Sequence, residues 1–253
     1  MKFLTSTLVL FSLFFTVNAL AIEKKHHRDI SKIVSAFKLQ DKQAVAALIS
    51  YPLKRQYPVP MIDNAAQLVS RFEQVFDEQL IQLIADSSLE NDWSVVGWRG
   101  VMFGNGELWL DEDGKIKRVN YQSEKEKELK QQLIVSQKKT LHSSIRAYKQ
   151  PILEWKTAKF QIRVDDLGSD NYRYASWSIN KSQSEKPDLV LTGGKLEFDG
   201  SGGNHQYSFA KGKYLYLCYV NVLGKSDSAP GFLEVFKGKK QLLSADVLEV
   251  LSH

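Results

Sequence analysis

The stretch KLEFDGSGGNHQYSFAKGKYLYLCYVNV, residues 195–222, decides the class of the C-terminal half. Apolar and polar residues alternate on both sides of a Gly-Ser-Gly-Gly-Asn cluster, and again beyond Lys211-Gly212-Lys213. A period of two sends successive side chains to opposite faces of a strand. Gly and Asn supply the positive φ that tight reversals need. Three consecutive antiparallel strands are therefore expected.

Residues 198–209, FDGSGGNHQYSF, also invite a phosphate or dinucleotide reading, and both fail. The dinucleotide fingerprint needs G-x-G-x-x-G between a strand and a helix. Here Gly200-Ser201-Gly202-Gly203-Asn204-His205 lacks the last Gly and leads into another strand. A Walker loop needs a Gly five residues before its G-K-S, but Tyr219 stands there ahead of Gly224-Lys225-Ser226. A hairpin explains some of the glycines. It does not require so many, nor Asn204-His205 where the next strand begins. The surplus marks Gly202, Asn204 and His205 as candidate contacts of a flexible loop that enters a partner's cleft. Small periplasmic β-barrel inhibitors of cell-wall hydrolases act in this broad way, an analogy of compartment and fold class.

Outward from this stretch, the pattern repeats in WKTAKFQIRV (155–164), YRYASWSI (172–179), DLVLTG (188–193), GFLEVFK (231–237) and KQLLSADVLEV (240–250). Many short strands at regular spacing predict an all-β sandwich or barrel over 151–253. Within 172–177, Tyr172 and Tyr174 share one strand face while Arg173 and Trp177 share the other. Aromatics with Arg are common anchors of recognition and of carbohydrate stacking, which makes these four binding candidates. Asp165 and Asp166 are adjacent on a strand, so they point to opposite faces and make poor partners for acid–base work.

Before residue 151 the period is helical. Residues 29–50 carry Ile30, Ile33, Val34, Phe37, Val45, Leu48 and Ile49 at helical spacing, with Asp41 as the N-cap of a second helix. YPLKRQYPVP (51–60) must be irregular. A long helix is expected after Asp63 or Asn64, with the stripe Leu68, Phe72, Val75, Phe76, Leu80, Leu83 and Ile84. WSVVGWRGVMFGNGELWLDEDGKIKRVNY (93–121) then reads as a three-stranded meander turning at 104–106 and 111–114. Its DEDG is no EF-hand loop, which places Gly sixth and Glu twelfth. A charged helix from Ser123 to about Tyr148 follows, and Pro151 ends it. The expected division is an α+β domain at 22–122, a connecting helix at 123–150 and an all-β domain at 151–253.

DKQAVAALI (41–49) on an amphipathic start, a second helix, and a meander ending in DGKIKRVN (113–120) resemble the NTF2-like superfamily over residues 29–122. The resemblance implies a curved antiparallel sheet wrapped by helices, often around an apolar pocket. Trp93, Trp98, Phe103 and Trp109 would then be candidates for the concave face. Enzymatic members usually hold an acidic residue and a His in the cone. This chain has no His between His27 and His142, so no catalytic residue is carried over.

The N-terminus, MKFLTSTLVLFSLFFTVNALAIEKK, has one Lys, an apolar run and Ala19-Leu20-Ala21. That is the layout of a cleaved secretory signal peptide over 1–21, which predicts a periplasmic or secreted protein with no membrane-spanning segment in its mature form. The single cysteine, Cys218, lies far from the cleavage site and has no partner, so neither a lipobox nor an internal disulfide is available. The net charge is +5, and +4 without Lys2. Acids and bases are interspersed along the chain, which speaks against nucleic acid as a partner. No G-x-S-x-G elbow and no H-x-x-x-H pair occurs. No metal, cofactor or catalytic residue is predicted. The leading expectation is a non-enzymatic binding protein that recognises an envelope protein or a cell-wall-related glycan. A small-molecule carrier and a hydrolase with an interdomain site are the alternatives.

Overall fold

The computed structural model describes residues 24–224 and 227–251. The leader read at 1–21, Lys225-Ser226 and His253 lie outside the described residues.

Helix α1 (Lys24–Lys38) turns Ile30, Ile33 and Phe37 inward, and α2 (Lys42–Ala47) follows at once. Asp41 caps α2 by accepting a hydrogen bond from Ala44 N at 2.9 Å. The single long helix expected after residue 64 is instead three short ones, α3 (Ala65–Ser70), α4 (Phe72–Val75) and α5 (Glu78–Ala85). The break comes where Phe76 is extended and Asp77 accepts from Leu80 N at 3.0 Å, since a side-chain cap starts a new helix. The breaks also rotate the apolar stripe. Leu68, Phe72, Val75, Phe76, Leu80 and Ile84 stay buried, but Leu83 faces solvent.

After α6 (Leu89–Asp92) come four antiparallel strands, β1 (Trp93–Val95), β2 (Val101–Phe103), β3 (Leu108–Leu110) and β4 (Ile116–Val119), in the order β1-β2-β3-β4. The expected three-stranded meander gains a strand because Gly97 (φ 49°) and Gly100 (φ 90°) allow a reversal around a one-turn helix at Gly97–Arg99. An added Cβ at Gly100 would sit 2.3 Å from the Leu110 carbonyl oxygen. This sheet and the preceding helices share one apolar core.

Helix α7 (Glu124–Thr140) begins at Ser123, whose Oγ accepts from Glu126 N at 3.1 Å and donates to Gln74 O at 2.6 Å. It ends well before Tyr148. Leu141 is extended and a one-turn helix, Ser143–Ile145, follows, so the chain doubles back along the face that α7 covers. Ile134, Leu141, Ile145 and Tyr148 pack there against Ala175 and Trp177.

The remainder is one nine-stranded antiparallel sheet. Its strands are β5 (Gln150–Lys156), β6 (Phe160–Gly168), β7 (Asn171–Ser178), β8 (Leu189–Phe198), β9 (His205–Lys211), β10 (Tyr214–Val220), β11 (Gly231–Lys237), β12 (Lys240–Asp246) and β13 (Glu249–Val250). Each of β5 to β11 pairs with its successor, and β13 returns to β5. The opening stretch supplies β8, β9 and β10 in the predicted pairing, with Phe198 opposite His205 and Cys218 opposite Tyr207. DLVLTG and KLEFDG, which read as separate strands, form the single strand β8, bent at Gly193-Gly194. Gly193 has φ 74°, and a Cβ on Gly194 would lie 2.1 Å from the Phe209 ring.

Two backbone bonds show how the sheet curls. Val247 N donates to Gly231 O in β11 at 2.9 Å, and Leu248 N donates to Lys156 O in β5 at 2.8 Å. Consecutive residues thus tie the two margins of the sheet together. Gly231 lies so close to Trp155 that a Cβ there would be 2.9 Å from the indole. The enclosed face is packed with Trp155, Ile162, Val164, Tyr174, Leu191, Tyr207, Phe209, Cys218 and Leu233. Burial pushes the Cys218 thiol and the Tyr174 and Tyr207 phenols upward in pKa. The fold is α+β, helices with one small and one large antiparallel sheet.

Because the strands run alternately up and down, their turns gather at two ends. One end holds the turns at 157–159, 179–188, 212–213 and 238–239. The other holds those at 169–170, 199–204 and 221–230.

Candidate functional site

The four aromatics proposed for a concave face do not share one. Trp93 and Phe103 point into the core, with ring centres 4.9 Å apart. Trp109 is half-buried on the opposite face, beside Met102 and Arg118 across the ladder. Trp98 sits on the one-turn helix after β1 and is 63 % exposed.

The 172–177 cluster is interior on both faces. Tyr174 fills the curled sheet with half-buried Tyr172 beside it, while Trp177 and Arg173 lie under α7 and the 141–148 segment. Arg173 is 4 % exposed, so no partner can reach it. Its Nη2 donates to Asp165 Oδ2 at 2.6 Å, and Arg163 Nε donates to Asp165 Oδ1 at 2.7 Å. Arg163 also pairs with Glu154, which accepts from Tyr57 Oη at 2.7 Å. Gln137 Nε2 on α7 donates to that Tyr57 oxygen at 2.6 Å. A carboxylate with no solvent exposure is tolerated only when charge and hydrogen bonds compensate it. Even so, burial pushes the Asp165 carboxyl up against the opposing pull of the two guanidiniums. Breaking such a group by deleting one member costs about 3–5 kcal/mol, so its role is to hold α7 and the 51–60 segment against the sheet. A second lock joins the 51–60 segment to α7 and to the end of β4. Buried Arg55 donates to Glu126 on α7 and to the carbonyl oxygens of Val119 and Tyr121.

The Gly-rich segment 199–204 gives the remaining arrangement, and it is tied down rather than free. Asn204 Oδ1 accepts from both Val222 N and Leu223 N at 2.8 Å, and its Nδ2 donates to Leu223 O at 3.1 Å. A Cβ on Gly202 would lie 2.6 Å from Leu223 Cδ1, and one on Gly203 (φ 92°) would lie 3.3 Å from Val222. The surplus glycines therefore let two neighbouring turns pack face to face. His205 Nδ1–H donates to Gly203 O at 2.8 Å, and its ring stands 5.7 Å from Phe198 and 5.5 Å from Tyr207.

From the first half of the chain, Arg99 Nη2 donates to Ser201 O at 2.7 Å. The same guanidinium lies 5.6 Å from the centre of the Trp98 ring, within cation–π range. Trp98, Phe198, Val222 and Leu223 are thereby linked through one hydrogen-bonded frame while remaining 63, 68, 47 and 45 % exposed. Of the residues singled out from sequence, Trp98, Gly202, Asn204 and His205 meet here. Phe198, Val222, Leu223 and Arg99 complete the surface and carried no sequence signal. Phe198 continues the inward alternation of Leu196, yet it lies at the last position of its strand and escapes the interior.

Chemically this surface offers aromatic and aliphatic area with an Arg, an imidazole and an Asn at its rim. That combination suits recognition. His26 and His27 lie in α1, and His142 accepts from Ser144 N at 3.2 Å and so caps its own turn. Among the described residues, no group of three or more His, Cys, Asp or Glu is placed to hold a metal ion, and no helix is long and apolar enough to cross a membrane.

Comparison with protein-family models, with curated proteins and with solved structures finds no match to this chain.

Proposed function

We propose that this is an exported, non-enzymatic binding protein that recognises an envelope protein or cell-wall-related target through the surface formed by Trp98, Phe198, Val222 and Leu223. The observation that carries the reading is the frame under those side chains. Large exposed apolar groups are costly to leave in water and, when contiguous, mark contact sites. Here Asn204, Arg99 and the close-packed glycines hold them in place, which lowers the ordering cost of binding. Trp and Arg, the residue types richest in interface energy, sit at the junction of the two halves of the chain.

Trp93 and Phe103, which a carrier would need along its pocket wall, are packed against each other in the core. His205 Nδ1 is engaged with the backbone, and His142 with its own turn. These placements favour recognition over carriage or hydrolysis. The export component rests on the leader sequence at 1–21.

The test compares the native protein with Trp98→Ser and Phe198→Ser as baits in the envelope fraction of its source. Both side chains are mostly exposed, so the melting temperature should hold. Capture of the partner should weaken at least about tenfold in each variant, as for an interface hot spot. Undiminished capture by both variants would rule the surface out.

A further inference from the structure

The opposite end of the curled sheet has a different character. The tight turns at 212–213 and 238–239 place Lys211, Lys213, Lys237, Lys239 and Lys240 side by side, all exposed. The neighbouring turns at the same end add exposed Lys159 and Lys186. Two further lysines there are neutralised, Lys156 by Glu249 and Lys181 by Asp188. The first seven make no ion pair among the described residues.

The strand register makes the crowding unavoidable. Lys211, Tyr214, Lys237 and Lys240 form one row across β9 to β12, with Lys237 directly opposite Lys240. Like charges placed opposite one another destabilise a sheet. The row is thus an unfavourable arrangement until an anion covers it. Of the acids, Glu185, Asp188 and Glu249 share the lysine end, the last two paired with Lys181 and Lys156, while Asp170, Glu197, Asp199, Asp227 and Asp246 are exposed at the other end. The molecule is therefore electrically polarised along the sheet. Sequence hides this, because the chain visits the two ends alternately and the charges look interspersed.

We propose that the lysine-bearing end docks on an anionic phospholipid surface. Three of the four turns at this end are short, and the longer 179–188 turn brings Lys186 to the same patch, an arrangement that suits a plane better than a groove. Lysine is a compact, hydrated point charge that suits phosphate headgroups without needing a fixed fork geometry. Leu189, Tyr214 and Tyr216 join Lys211, Lys213 and Lys237 around a depression of about 500 Å³, so amphipathic rings lie at headgroup level as they do at membrane interfaces. The Tyr214 ring is already faced by Lys237 Nζ at 5.6 Å, which removes it as a stacking platform for nucleic-acid bases. Docked this way, the Gly-rich end with Trp98 and Phe198 points away from the lipid.

The test is co-sedimentation of the purified protein with vesicles of phosphatidylcholine alone and of phosphatidylcholine mixed with phosphatidylglycerol. A lysine near an anionic leaflet adds roughly a fivefold gain in binding. Reversing Lys211, Lys213, Lys239 and Lys240 to Glu should lower binding to the mixed vesicles by at least about a hundredfold. The control reverses Lys38, Lys54, Lys115 and Lys195, giving the same net charge, and should retain most binding. A third variant with Gln at the four turn positions gives the same reading if charge reversal impairs folding. The proposal is overturned by any of three results: no preference for the mixed vesicles at low salt, equal loss in the control, or binding only to soluble heparin or a DNA duplex.

Discussion

Asp188 closes the long turn after β7. One of its oxygens accepts from Ser178 N at 2.8 Å and Ser178 Oγ at 2.9 Å, and the other pairs with Lys181. The Lys181 hydrogen bond, followed by those from Ser178, pulls its pKa down to about 2. An unfolded Asp titrates near 4. The folded value is the lower one, so the stabilisation is complete above about 4 and is lost as pH falls toward 2. Carboxyl NMR should show a midpoint near 2, and the stability advantage over Asp188→Asn should shrink across that window. A midpoint near 4 would mean the three contacts do not persist in solution. Contacts of this local kind are legible in sequence, as Asp41 ahead of α2 and Ser123 ahead of α7 show. Asp165 is the counter-example. It reads as a polar residue near a strand end, yet its partners include Arg173 on the next strand, and its burial depends on α7 packing from outside the sheet. Arg163, Asp165 and Arg173 do share a face by parity, so the signal was present in the alternation. It could not be read until the covering helix was known.

Among elements, strands were easier to foresee than helix lengths. Alternation identified β7, β9, β10 and β11 as single strands, because a buried face imposes a strict period. WKTAKFQIRV, read as one strand, instead runs from the end of β5 through the turn at 157–159 into β6, and KQLLSADVLEV supplies both β12 and β13. Two further errors have one cause, the local geometry of breaks. The helix after Asn64 is interrupted at Asp77, a strong cap placed within a continuous apolar stripe. Strand β8 was divided in two because Gly193-Gly194 looks like a turn. It bends without reversing, since Gly194 gives room to the Phe209 ring. Gly194→Ala should therefore destabilise the protein by about 1–3 kcal/mol, the cost of overpacking a filled interior. Denaturant unfolding would measure it, and the penalty should diminish in a Phe209→Leu background. A neutral Gly194→Ala would contradict the close packing assigned to the bend.

At the scale of the molecule, the sequence predicts α+β structure followed by an all-β sandwich or barrel. The structure shows helices with one small and one large antiparallel sheet, and how the large sheet ends was not legible beforehand. Closure depends on Val247 and Leu248 bonding to opposite margins, a long-range event with no local pattern. The same limit applies to the candidate surface. Trp98 and the Gly-rich segment were each visible as unusual, but they lie about a hundred residues apart, and it is the Arg99–Ser201 hydrogen bond that joins them. Docking of the first half onto the sheet thus does two things: it buries the Arg163–Asp165–Arg173 group, and it completes the exposed aromatic surface at the Gly-rich end. The most direct measurement is site-specific photo-crosslinking in the native envelope, with the photoreactive residue replacing Trp98, Phe198 or, as a distant exposed control, Leu83. The account predicts one dominant adduct shared by positions 98 and 198 and absent at 83. No adduct at 98 and 198, or the same adducts at all three positions, would contradict it.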